Sequence, residues 1–77
     1  MSTKLLRQIK NSLPDLRKSE KTVGEYILKD PKSIITMKTA EASKAMGISE
    51  PTLIRFCKAI GFTGFQELKI NLSQQLA

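Results

Sequence analysis

Apolar positions along the chain recur at helical intervals, and Pro and Gly cut the pattern into short pieces. Leu5, Leu6, Ile9 and Leu13 share one face of a first helix, which Pro14 ends because the residue before a proline disfavours the α region. A second helix is expected to begin around Arg17 to Ser19, with Val23, Tyr26 and Ile27 as its stripe and Asp30-Pro31 as its stop. Pro31 suits a first helical position, so a short turn of helix anchored by Ile34 and Ile35 follows. Thr39, Ala42, Ser43 and Met46 then fall at helical spacing, and Gly47 supplies a left-handed stop. Ser49 reads as an N-cap, with Pro51 tolerated in the first turn. Leu53, Phe56, Cys57 and Ile60 form one clean face, and Gly61 ends that helix. Thr63 and Gln66 have the form of a capping box for a last helix that buries Phe65, Leu68, Leu72 and Leu76. No strand-like alternation or internal repeat is visible. The expected fold is all-α: a compact bundle of about five helices in a single domain, 1–77.

Residues 39–60 carry the most specific signal. Two short helices joined by a Gly-containing turn, the second one capped, have the layout of a helix-turn-helix. Close crossing needs a small residue, which Ala42 or Ser43 provides, and the turn needs the positive φ that Gly47 allows. Ile48 plugs the corner, and Leu53 and Phe56 bury the second helix on the first. The outer face of that second helix then carries Pro51, Ile54, Arg55 and Lys58, with Ser49, Glu50 and Thr52 at its N-terminal end. An ordinary helical bundle with an exposed Arg and Lys is the plainer alternative.

Composition narrows the chemistry. The 77 residues hold 13 Lys and Arg against 7 Asp and Glu, a net charge of +6, with no His and one Cys. Without His, neither a zinc ligand set nor a Ser-His or Cys-His nucleophile can be assembled, and a single Cys closes no internal disulfide. No catalytic residue, metal or cofactor is expected. The charge points to a polyanion, and the first residues show no secretory or membrane-spanning run, as in a soluble cytoplasmic protein. All the basic residues except Arg55, Lys58 and Lys69 precede Gly47, and no acid lies between Glu50 and Glu67.

On double-stranded DNA, the N-terminal part of the second helix of such a motif enters the major groove. Arg55 is the leading base reader, because a guanidinium bridges O6 and N7 of guanine. Ser49 or Thr52 can meet a base or phosphate, Lys58 a phosphate, Glu50 a cytosine amino group, and Pro51 and Ile54 a thymine methyl. Lys4, Arg7 and Lys10, and separately Arg17, Lys18 and Lys21, are either flanking phosphate contacts or solvated faces. Cys57 is read as a core residue rather than a redox thiol. Phe62 and Phe65 are read as core, and Ile70 as an exposed hydrophobe at a dimer contact or domain junction.

These residues resemble a known family. Gly47-Ile48-Ser49, Thr52 followed by Arg55-Phe56, Gly61-Phe62-Thr63-Gly64-Phe65 and Glu67-Leu68-Lys69 look like the N-terminal DNA-binding domain of the RpiR family of bacterial transcriptional regulators. Ser19-Glu20, Tyr26-Ile27-Leu28 and Pro31 fit the same pattern, so the resemblance covers essentially the whole chain. Ser49-Glu50-Pro51-Thr52 with Arg55-Phe56-Cys57 is similar, within that family, to regulators of hexose catabolism in Gram-negative bacteria. The resemblance implies a five-helix domain working as a homodimer on a pseudo-palindromic operator. It also implies a further C-terminal sugar-isomerase-type (SIS) domain that binds a phosphosugar effector. The apolar pattern runs to Leu76-Ala77 without a terminal cap, so that domain is expected beyond residue 77. Arg17 and Lys38 depart from the family's usual capping Ser or Thr, and Thr39 and Ser43 from a usual Ile and Ala. A helical protein-interaction or dimerisation module with an incidental basic surface is the alternative function.

Overall fold

In the computed structural model, which describes residues 4–76, the expected segments fold as helices with one added turn. Met1, Ser2, Thr3 and Ala77, the ends of the 1–77 reading, lie outside the described residues. Helix α1 (Lys4–Ser12) buries Leu5 and Ile9, and Pro14 diverts the chain into a 3-10 turn, Leu13–Asp15. Helix α2 (Lys18–Lys29) buries Val23 and Ile27, and α3 (Pro31–Ile35) is a single short piece that seats Ile34. Helices α4 (Thr39–Met46), α5 (Glu50–Ile60) and α6 (Phe65–Leu76) complete the bundle. No strand occurs among the described residues. The count is therefore five longer helices plus the five-residue α3.

One core cluster holds Phe56, the largest fully buried side chain, together with Leu5, Ile9, Val23, Ile27, Leu53 and Leu68. Helix α5 packs on α2, on α4, on α6 and on α1, so it is wedged against four elements. Gly24 permits the α2 approach: a Cβ there would lie 2.5 Å from Leu13 Cδ2, 3.3 Å from Ile9 Cγ2 and 3.4 Å from Phe56 Cε2. Three polar tethers link distant parts of the chain. Gln8 Nε2 donates to the Ile60 carbonyl at 2.8 Å, Lys69 Nζ to the Met37 carbonyl at 2.7 Å, and the Leu5 N–H to Gln75 Oε1. Lys69 Nζ also lies 4.9 Å from the centre of the Phe65 ring, close enough for a cation–π contact.

One expectation about helix starts needs correction, and another holds. The last helix does not use the Thr63–Gln66 box: the Thr63 N–H donates instead to Glu67 Oε1 at 3.0 Å, and the helix begins at Phe65. The start falls two residues after Thr63, so Glu67 rather than Gln66 faces back along the chain. At α4, Lys38 provides no side-chain cap, as its lack of an acceptor demands. Half of a capping box survives all the same, because the Lys38 N–H donates to Glu41 Oε1 at 3.1 Å. Arg17 at the start of α2 likewise makes no side-chain cap.

Candidate nucleic-acid interface

The site is framed by two helix endings of the same design. Gly47 (φ 72°) and Gly61 (φ 106°) each take the left-handed conformation that a Cβ would strain. The N–H groups of Gly47 and Ile48 donate to Lys44 and Ser43 carbonyls, and those of Gly61 and Phe62 to Lys58 and Cys57 carbonyls. Both are Schellman endings, and Ile48 and Phe62 are the half-buried hydrophobes that accompany them. Helices α4 and α5 are thereby cut short and pack on each other, with Ala42, Ser43, Leu53 and Phe56 among their buried residues. Ser43 turns its hydroxyl inward along its own helix, donating to the Ala40 carbonyl at 3.0 Å, so it crosses as a small residue with no unmet polar group.

Ser49 caps α5 as expected: its Oγ accepts the Thr52 N–H at 3.3 Å. Thr52 Oγ1 lies 2.8 Å from Ser49 Oγ and accepts a hydrogen bond from Arg55 Nη2 at 3.1 Å. The first turn of α5 thus carries a connected row, Arg55 to Thr52 to Ser49. Around it Ser49, Glu50, Pro51, Arg55 and Lys58 are exposed on one side of the helix. Two expected contact residues sit differently. Thr52 is only 6% exposed, turned toward its neighbours rather than outward, and Ile54 is half-buried against the core. Helical spacing does not tell which part of that arc the elements packed on α5 cover.

Cys57 is fully buried, and burial pushes its thiol up to about 12, far from the thiolate range that reactive cysteines need. Phe65 is buried and Phe62 half-buried, while Ile70 is 49% exposed on α6. Lys4, Arg7, Lys10, Arg17 and Lys18 are exposed, and Lys21 is half-buried. Lys4, Arg7, Gln8, Asn11 and Ser12 line a shallow groove on α1. Among the described residues no cluster of three metal-ligating side chains occurs, and no helix is long and apolar enough to cross a membrane.

A capped helix crossing a second short helix at a glycine turn, with cationic side chains on its open face, defines the helix-turn-helix class of double-stranded-DNA-binding domains. The chain belongs to the rpiR family of helix-turn-helix domains, which it matches over residues 3–77. It is 44% identical over 73 residues to the HTH-type transcriptional regulator HexR of Pseudomonas aeruginosa, covering 95% of this chain and 26% of that protein. The HexR of Escherichia coli is 38% identical over 73 residues, with 95% and 25% covered. The chain spans about a quarter of the length of the curated relatives it matches. The crystal structure of the N-terminal domain of ybbH from Bacillus subtilis superposes with a TM-score of 0.88 at 33% identity, covering 97% of this chain and 92% of that one. The Vibrio vulnificus NanR protein complexed with ManNAc-6P shares the fold at a TM-score of 0.91 and 22% identity, over 94% of this chain and 27% of that one. The chain is accordingly a DNA-binding domain of the transcription-regulator kind.

Proposed function

We propose that the chain is the operator-recognition domain of a bacterial regulator of hexose catabolism, and that the N-terminal half of α5 reads DNA in the major groove. The observation that carries this is the Ser49-capped first turn of α5, exposed at Glu50, Pro51, Arg55 and Lys58 with Arg55 bound back to Thr52. In this reading Arg55 contacts guanine, Lys58 a phosphate, Ser49 a base or phosphate, and Glu50 a cytosine amino group, while Pro51 and the outer part of Ile54 meet thymine methyls. Thr52 acts from behind them.

The finer assignments extend the same proposal. Similarity to the HexR regulators supports hexose catabolism as the controlled process. The greater length of those relatives supports a longer regulator with a C-terminal SIS domain, and the ManNAc-6P bound to the NanR protein supports a phosphosugar effector there. The regulator works in the cytoplasm as a homodimer on a pseudo-palindromic operator, its half-sites about one helical turn or a multiple apart.

The test is selection of bound fragments from random duplex DNA, followed by salt titration on the recovered duplex. A recovered motif with dyad symmetry, bound less tightly as salt rises with a log–log slope of about −0.9 per phosphate contacted, is the expected result. Binding that is indifferent to duplex sequence would remove the operator-reading role. Affinity that is flat in salt would contradict the phosphate contacts.

A further inference from the structure

We propose that Thr52 is the positioning residue for sequence reading, holding the Arg55 guanidinium over the first turn of α5 before DNA arrives. The inference rests on the reading of Arg55 as the base contact. Residues three apart on a helix are neighbours, so the pair can meet without distortion. Thr52 is 6% exposed while Arg55 is exposed, so the fixed partner lies inside and the long side chain is drawn back onto it. The 3.1 Å bond from Arg55 Nη2 uses one of five guanidinium N–H donors. Whichever Nη2 hydrogen serves Thr52, one two-pronged edge stays free: Nη1 with Nη2, or Nε with Nη2. That edge is what guanine O6 and N7 require.

The remaining protons order themselves. Thr52 Oγ1 accepts from Arg55, and Ser49 Oγ already accepts the Thr52 N–H. If the Thr52 hydroxyl donates along its 2.8 Å contact to Ser49, both Ser49 lone pairs are used and the buried Thr52 proton has a partner. The reverse direction would leave that buried proton to be placed elsewhere. The favoured order turns the Ser49 hydroxyl proton outward, so Ser49 meets DNA as a donor, to a phosphate or a base acceptor. Fixing a rotamer-rich side chain in advance removes part of the ordering cost of association.

The experiment uses the 77-residue chain and two duplexes: the one recovered from a random pool by the wild-type chain, and a copy with the Arg55-dependent base pair exchanged. Thr52→Val, which keeps shape and removes the hydroxyl, should weaken binding to the selected duplex roughly three- to tenfold. It should leave the exchanged duplex nearly unaffected. Thr52→Ser should restore both affinities, and Thr52→Val should add nothing in an Arg55→Ala background. In the free protein, the Arg55 Nε–H order parameter from NMR should fall in Thr52→Val and hold in Thr52→Ser; Thr52→Ala serves for both readouts if valine unsettles the helix. Equal loss on both duplexes, loss that persists without Arg55, or a serine variant as weak as valine would overturn the positioning role. If Arg55→Ala discriminates between the duplexes and Thr52→Val does not, only the positioning role falls. If Arg55→Ala weakens both duplexes alike, the Arg55 reading itself falls.

Discussion

Replacing Gly24 with alanine sets two effects of opposite sign against each other. In a helix interior the exchange ordinarily stabilises by about 1 kcal/mol, because glycine has more backbone freedom to lose. At this position the new methyl would sit 2.5 Å from Leu13 Cδ2, with Ile9 Cγ2 at 3.3 Å and Phe56 Cε2 at 3.4 Å. The 2.5 Å contact forces the half-buried Leu13 side chain to shift, and the fully buried Ile9 at 3.3 Å leaves the new methyl little freedom to avoid it. Overpacking of this kind costs about 1–3 kcal/mol, so a net loss of about 1 kcal/mol is expected. In a domain of this size that lowers Tm by about 4–8 °C. A double-mutant cycle read by urea unfolding isolates the cause. In a Leu13→Ala background the closest contact vanishes, and Gly24→Ala should become neutral or stabilising, with a coupling of about 1–2 kcal/mol. If Gly24→Ala stabilises the wild type by the full propensity gain and the two changes simply add, the close approach of α2 to Leu13 does not require glycine at position 24.

Other outcomes follow from single contacts. Ser49→Ala removes the α5 cap and should cost about 0.5–2 kcal/mol in thermal or urea unfolding; an unchanged midpoint would contradict the capping role. Lys58→Ala should weaken all duplexes alike and reduce the salt slope by about one phosphate, and a sequence-selective loss would make it a base contact instead. The Cys57 thiol is raised by burial from 9.0 to about 12, so the fold favours its neutral form. That contribution is complete below pH 9 and is lost as pH rises toward 12, where the unfolded chain gains by ionising. Urea midpoints should therefore fall more steeply between pH 9 and 12 in the wild type than in Cys57→Ala, and native Cys57 should resist alkylation at pH 8. Equal pH slopes or rapid alkylation would refute the buried placement.

Much of the motif is legible from neighbouring residues alone. The stops at Gly47 and Gly61, the Ser49 cap and the Leu53–Phe56–Cys57–Ile60 stripe all depend on local backbone chemistry and the helical period, and each stands where that logic puts it. What local logic cannot reveal is which arc of a helix a distant element covers. Thr52 and Ile54 lie partly under α5's neighbours, and the need for glycine at position 24 arises from Leu13, Ile9 and Phe56. Glu20, an acid near the start of α2, is buried at 7% exposure without any sign in the periodicity. The exchange of Gln66 for Glu67 at α6 has the same origin, since a two-residue shift in the helix start changes which side chain reaches back. The tethers Gln8–Ile60 and Lys69–Met37 join residues far apart in the chain, beyond the reach of any local pattern.

Under the proposed function, one short helix reads sequence through Arg55. The most direct measurement is parallel selection from random duplex DNA with the wild-type chain and with Arg55→Ala, sequenced at the same stated salt. The account predicts the same motif from both, with one base position per half-site relaxed in the variant and a loss of about 1–3 kcal/mol on the wild-type duplex. An unrelaxed motif recovered with uniformly weaker binding would contradict it, leaving Arg55 as one more charge on the backbone.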